Sequence, residues 1–197
     1  MARLAKWGTL SSRGEVSANL AICSNAHPGA QGPRRAGSWF NRAYVIVTPR
    51  SAMARSLDGR VVAVVGATGV LGAEIALVLA ARGATVVRAG RRGDVDVRLD
   101  LHDATAGDAL VAHVRERHGR LDGVVIAAGV VTFGPLADTD DEVIEELFLT
   151  NAIGPLWLAR RVIPALIETR GFLVHLSGVV ASQPVAGMAA YSASKAA

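Results

Sequence analysis

Val61-Val-Ala-Val-Val65 runs directly into Gly66-Ala-Thr-Gly69-Val-Leu-Gly72, and a helical pattern follows from Val70 to Arg82. Five consecutive apolar residues read as a strand covered on both faces. Leu71, Ile75, Leu77, Val78 and Leu79 then recur at helical spacing. Between the two, each glycine has a task. Gly66 permits a tight turn, Gly69 lets the backbone approach a pyrophosphate, and Gly72 lets the helix pack close to the strand. Free N–H groups and the dipole at the helix start favour phosphate oxygens, and Thr68, Val70 and Leu71 stand in the same turn. A helix with incidental glycines is the bland alternative. The order of strand, glycine-rich turn and helix favours a dinucleotide.

Outward from this stretch the pattern alternates. Thr85–Val87 reads as a second strand and Val97–Leu99 as a short third. Ala104–His118 reads as a helix with Leu110 and Val114 inward, followed by a strand at Gly123–Ala127. Thr139 through Ile167 reads as one long helix with the capping box Thr139-Asp-Asp-Glu142, and Phe172–Leu176 as a fifth strand. Strands alternating with helices predict an α/β fold, a Rossmann-type doubly wound parallel sheet in three α/β/α layers. About seven residues separate the second strand from the third, a reach of roughly 23 Å extended. That spans a strand of about 17 Å and a neighbour about 5 Å away, but only as an extended strap, so no helix is expected there.

The apolar share of 51% is ample for a core, and with aromatics at 5% Val, Ala and Leu must fill it. The net charge of +4 is unevenly placed. Residues 1–52 hold seven Lys/Arg against Glu15, and residues 53–197 hold fourteen against sixteen acids, so the first part is +6 and the second −2. Nucleic acid is therefore excluded as an expected partner, because it needs basic residues clustered on the folded face. Cys23 is the only cysteine, so no disulfide can form within the chain, and no Cys/His set has metal-ligand spacing. The apolar run Val61–Ala80 carries Glu74 and glycines and divides between strand and helix periods, so no membrane span is expected. The expected location is cytoplasmic. Residues 1–52 lack a sustained period and are expected to be disordered, as a targeting peptide or as sequence upstream of a native start at Met53. Residues 53–197 are the expected nucleotide-binding domain.

An NAD site places an acid at the end of the second strand for the ribose hydroxyls. Here the chain reads Ala89-Gly90-Arg91-Arg92. Arg91, with Arg92 beside it, suits a 2′-phosphate through its planar fork, so NADP is favoured and NAD is possible.

Tyr191-Ser-Ala-Ser-Lys195 resembles the Tyr-x-x-x-Lys signature of the short-chain dehydrogenases/reductases, and the resemblance covers nearly all of Leu57–Ala197. Asp100-Leu101 looks like the family's adenine-contacting pair. Ala127-Ala128-Gly129 stands where the family usually has Asn-Asn-Ala-Gly, and Asn151 matches the asparagine of its long helix. The resemblance implies a nicotinamide cofactor and hydride transfer with a small-molecule carbonyl or secondary alcohol. It also implies homo-oligomers for full-length relatives. On a helix, positions i and i+4 share a face, so Lys195 lies beside Tyr191, and an ammonium there favours the phenolate. Tyr191 is thus the expected acid/base, and the resemblance implies that Lys195 also binds the nicotinamide ribose. Pro155 has no N–H for the Asn151 carbonyl and should kink the helix; in the family a relay water sits at that carbonyl. The family's serine position is occupied by Gly178. Either Ser177 takes the serine's role by a one-residue shift, or the role is absent.

The chain stops two residues after Lys195, where relatives continue through two further strands and a substrate-covering segment. The expectation is a fold incomplete at its C-terminus, and a 197-residue chain that does not itself turn over. Two other readings stand beside the oxidoreductase. One is an isomerase or dehydratase of the same superfamily, from which Asn151 and Ala127-Ala128-Gly129 point away. The other is a non-catalytic NADP-binding protein.

Overall fold

A computed structural model describes residues 56–197, so the expectations for residues 1–52, Cys23 included, lie outside the described residues. The strand β1 (Val61–Val65) is the centre of a five-stranded sheet in the order β3-β2-β1-β4-β5. It pairs in parallel with β2 (Thr85–Gly90) on one side and β4 (Gly123–Ile126) on the other. β3 (Val97–Arg98) adds outside β2, and β5 (Phe172–His175) adds outside β4, both parallel.

All five β1 residues are buried. Because side chains alternate across a strand, Val61, Ala63 and Val65 join one core and Val62 and Val64 another. The first core holds Leu110 and Val114 of α2 (Ala106–His118) with Leu158 and Val162 of α4 (Gly154–Thr169). The second holds Ala76, flanked by Ile75 and Leu79, of α1 (Val70–Ala81). Helices therefore cover both faces and make three layers. Each fully buried Val or Leu contributes about 1.5–3 kcal/mol, so the cover on both sides is where most of the stability lies. Among the described residues no helix is long and apolar enough to cross a membrane.

The link from β2 to β3 carries no helix, as expected, and is stitched locally. Asp96 accepts the Arg88 N–H at 2.7 Å and returns its own N–H to the Arg88 carbonyl at 2.8 Å, while Asp94 pairs with the Arg88 guanidinium at 2.8 Å.

The single long helix expected over 139–167 is not found. A short 3-10 turn (Leu136–Asp138) precedes α3 (Asp141–Phe148), a π turn follows at Leu149–Ile153, and α4 runs on from there. Thr139 does not cap α3; its hydroxyl donates to the Pro135 carbonyl at 3.0 Å, and Asp140 takes the N-cap position without a side-chain bond. The π turn has a chemical cause in the missing N–H of Pro155. The Gly154 N–H reaches back to the Leu149 carbonyl. A Cβ on Gly154 would collide with the Leu101 carbonyl oxygen, so only glycine allows the widened turn to rest on the chain after β3. The final helix, α5 (Ala189–Ala196), packs against α3 and the π turn.

Asp122, at the start of β4, ties the sheet's N-terminal end together. Its carboxylate accepts the Val61 N–H at 3.0 Å, Arg60 at 2.8 Å and Arg120 at 2.8 and 2.6 Å. Burial alone would raise this carboxyl; the bonds from Arg120, Val61 and Arg60 outweigh it and bring the pKa to about 2. A depressed carboxyl contributes stability that is present above its unfolded value of roughly 3.9 and is lost as pH falls through the folded one. Asp122→Ala should cost about 3 kcal/mol at pH 7, since it strands two guanidinium groups and a strand N–H. Melting curves should show the gap from the native chain closing between about pH 4 and pH 2. A gap of constant size over that range would refute the assignment.

Candidate functional site

At the carboxyl ends of β1–β4 the loops enclose a cleft of about 270 Å³. Its floor is the turn after β1. Gly66 has φ +84°, and a Cβ there would stand 2.6 Å from the Ala128 backbone nitrogen. The Gly66 and Ala67 N–H groups donate to the Ala89 carbonyl at 2.8 and 3.3 Å, which ties the turn to β2. A Cβ on Gly72 would run into the Gly66 carbonyl oxygen, so α1 rests directly on the turn. α1 has no side-chain cap and no acid in its first turn. The N–H groups of Val70, Leu71 and Gly72 have no carbonyl to bond within the helix, and the positive end of the dipole is uncompensated. This cradle fits a pyrophosphate.

Thr68 and Gly69, Arg91 and Arg92 after β2, Asp100 and Leu101 after β3, and Ala127, Ala128 and Gly129 after β4 all line the cleft. Val70, Leu71 and Gly72, also expected at the cofactor, do not line it. Val65, Gly90 and Leu99, at the ends of the strands, line it too, as do His102, Val130 and Thr150, which carried no signal of their own but are each adjacent to a residue that did. The loop carbonyl of Arg91 accepts a bond from Arg98 at 2.9 Å. The strand end lacks an acid in sequence, but Glu146 of α3 reaches it from the side. Its carboxylate lies 4.0 Å from the Arg91 guanidinium and 3.3 Å from His102 Nε2, and it accepts the Thr150 hydroxyl at 3.2 Å. No local pattern could have shown this, because the two residues are 55 positions apart, 91 and 146.

Asn151, in the buried π turn, does not line this cleft but stands against Gly129 and Val130, which do. The Asn151 amide oxygen accepts the Val130 N–H at 2.9 Å, and its nitrogen donates to the Val130 carbonyl at 2.9 Å. Lys195 Nζ donates to the Leu176 carbonyl at 3.2 Å. A Cβ on Gly129 would sit 3.1 Å from both Lys195 Nζ and Asn151 Oδ1, so all three meet at one point. Tyr191 is half-buried on the same helix. Its hydroxyl faces Gly178, where an added Cβ would lie 3.7 Å from it. Ser177 is turned elsewhere: its hydroxyl donates to the Lys195 carbonyl at 2.9 Å. A one-residue shift of the serine toward Tyr191 is therefore not seen. Nor is the expected lowering of the phenol. Burial pushes Tyr191 up and Lys195 down from their ordinary values, and the ammonium is spent on a carbonyl. His175 is lowered as well, by burial and then by the charge of Lys195.

A glycine-bridged phosphate cradle at the end of a central parallel strand, with Tyr191 and Lys195 on a helix across the cleft, defines a nicotinamide-dinucleotide-binding α/β protein. Residues 60–197 match the short chain dehydrogenase family, and the chain belongs to it. It is 28% identical over 187 residues to dehydrogenase/reductase SDR family member 7B of Danio rerio, which covers 83% of this chain and 60% of the relative. It is 31% identical to versicolorin reductase 1 of Aspergillus parasiticus, over 71% of this chain and 60% of the relative. A hydroxynaphthalene reductase of Aspergillus fumigatus is 33% identical, over 72% and 58%. The chain thus spans about 60% of the length of these relatives. Among solved structures, a short-chain dehydrogenase from Streptomyces avermitilis superposes with a TM-score of 0.65 at 31% identity, covering 70% of this chain and 56% of that one.

Gly178 has extended backbone, φ −150° and ψ 152°, and a Cβ there would make ordinary contacts at 3.5 Å or more. Gly178→Ser should leave thermal stability within about 0.5 kcal/mol of the native chain. Gly72→Ala should cost about 2 kcal/mol or more through overpacking against the phosphate turn. Thermal melts of the two variants side by side check this; equal losses would be inconsistent with the described contacts.

Proposed function

We propose that residues 53–197 are the cofactor-binding and acid/base domain of an NADP-preferring oxidoreductase acting on a small carbonyl compound or secondary alcohol. The observation that carries this reading is the meeting of Lys195, Asn151 and Gly129 beside the phosphate cradle, with the Tyr191 hydroxyl on the same helix. The nicotinamide, when bound, supplies or receives the hydride. Tyr191 protonates the substrate oxygen in reduction or takes the alcohol proton in oxidation. The Lys195 ammonium gives one bond to the Leu176 carbonyl and keeps its remaining N–H donors for the ribose, while burial holds the Tyr191 phenol in the neutral form that can give up a proton. Pro155 leaves the Asn151 carbonyl without the proline's N–H, which suits it to hold a water for proton exchange. With Gly178 opposite Tyr191, the phenol polarises the substrate oxygen by itself. Ser177, expected for that role, instead fastens the end of α5 through Lys195.

The preference for NADP rests on Arg91 and Arg92 at the rim, with Arg98 bracing the Arg91 carbonyl. Glu146 moderates it by drawing on Arg91. Two of the relatives are named as reductases, which favours the reducing direction. The exposed apolar side chains of α4, Leu156, Ile163 and Ile167, favour a homo-oligomer.

Two measurements test the reading. Arg91→Ala should weaken NADPH binding by about 1–3 kcal/mol, followed by cofactor fluorescence, and leave NADH nearly unchanged. Equal losses for the two cofactors would sink the 2′-phosphate assignment. In a full-length form carrying the downstream sequence, Tyr191→Phe should lower NADPH oxidation at 340 nm across a panel of ketones by about 10²–10⁴-fold. Turnover that survives that substitution would remove Tyr191 from the chemistry.

A further inference from the structure

The Asn151 amide has one more bond. Its nitrogen donates at 3.0 Å to the hydroxyl of Ser194, a residue 43 positions later and 1% exposed. The Ser194 hydroxyl in turn donates to the Tyr191 carbonyl at 2.8 Å. A helical serine often bonds a carbonyl one turn back, and that bond alone would be unremarked. The bond from Asn151 is different, because it comes from the π turn. A continuous chain of hydrogen bonds, buried at its centre, then runs from the Val130 backbone through Asn151 and Ser194 to the backbone of Tyr191.

We propose that Ser194 is a positioning residue: by latching α5 to Asn151 it sets the rotation of that helix, and with it the places of Tyr191 and Lys195. The proposal rests on the reading that these two side chains carry the acid/base chemistry. α5 spans only eight residues, and so short a helix does not hold itself. The hydroxyl of its other buried serine, Ser192, has no hydrogen-bond partner among the described residues and does not share the task. Ser194 is followed directly by Lys195, so a small turn of the helix carries the ammonium away from the notch at Gly129 and the Leu176 carbonyl. Misplacement of about 1 Å can cost on the order of 10²-fold in rate while binding is kept. Ser194→Ala should therefore lower kcat with little change in KM.

The deciding test needs no turnover. The chain has two tyrosines, Tyr44 and Tyr191, and two lysines, Lys6 and Lys195. Carbon-13 labels on the tyrosine Cζ and lysine Cε give two signals each, assigned with Tyr191→Phe and Lys195→Arg. In the native chain Tyr191 titrates above its ordinary range and Lys195 below. In Ser194→Ala both should relax toward ordinary values, as the two groups leave their buried places. Ser192→Ala, which removes a buried hydroxyl from the same helix but no bond, should leave both where they are. Unchanged titrations in Ser194→Ala, or equal movement in the two variants, would overturn the proposal. Should Ser194→Ala lose the native fold, Ser194→Cys, which keeps a small side chain with a weak donor, carries the same comparison. Full activity in Tyr191→Phe would defeat the acid/base reading and leave the latch standing.

Discussion

Val62, Ala63 and Val64 have no exposure to water. A strand whose backbone pairs on both edges and whose side chains are buried on both faces leaves its neighbours few choices. Parallel partners must flank it, helices must lie above and below, and every connection must cross from one end of the sheet to the other. The carboxyl ends of the strands are then the only place where loops from several elements converge. The phosphate cradle, the arginine pair and the approach to Tyr191 are all there because β1 is buried. Asp122 closes the opposite end, so the sheet is held by charge at one edge and open to a ligand at the other.

Legibility in the sequence follows the range of the interaction. The strands, the glycine turn and the missing helix after β2 are local matters of period and reach, and all are found. Boundaries shifted where a polar residue had a partner: β2 extends past Val87 because Arg88 is held by Asp94 and Asp96. The break between α3 and α4 was half visible. Pro155 announces a disturbance, but whether the helix bends or widens depends on Gly154 fitting against Leu101, which no reading of residues 139–167 contains. The approach of Glu146 to Arg91 and the bond from Asn151 to Ser194 were out of reach altogether. The direction of Ser177 likewise depends on the chain it meets, a carbonyl 18 residues on.

The site is built largely by backbone. Lys195 is held by a carbonyl, Asn151 by the N–H and carbonyl of Val130, and Ser177 by the carbonyl of Lys195. Side chains in such a site inherit their precision from the sheet and tolerate change around them. The glycine that faces the Tyr191 hydroxyl, Gly178, has relaxed backbone and room for a Cβ, so the fold does not require glycine there.

The stitched strap between β2 and β3 bears on how the chain folds. Ala89 pairs with Val97, eight residues on, whereas Val62 pairs with Gly123 and Gly123 with Phe172. Closing a loop costs about 0.6 kcal/mol more for each doubling of its length. The β2–β3 contact is therefore cheaper to form than the β1–β4 contact by about 2 kcal/mol in chain entropy. Parallel sheets fold slowly because their pairings are distant in sequence; this one carries a parallel pairing of short sequence separation at its edge. The edge bearing Arg91 and Arg92 can thus assemble early and wait for the central strand to be covered.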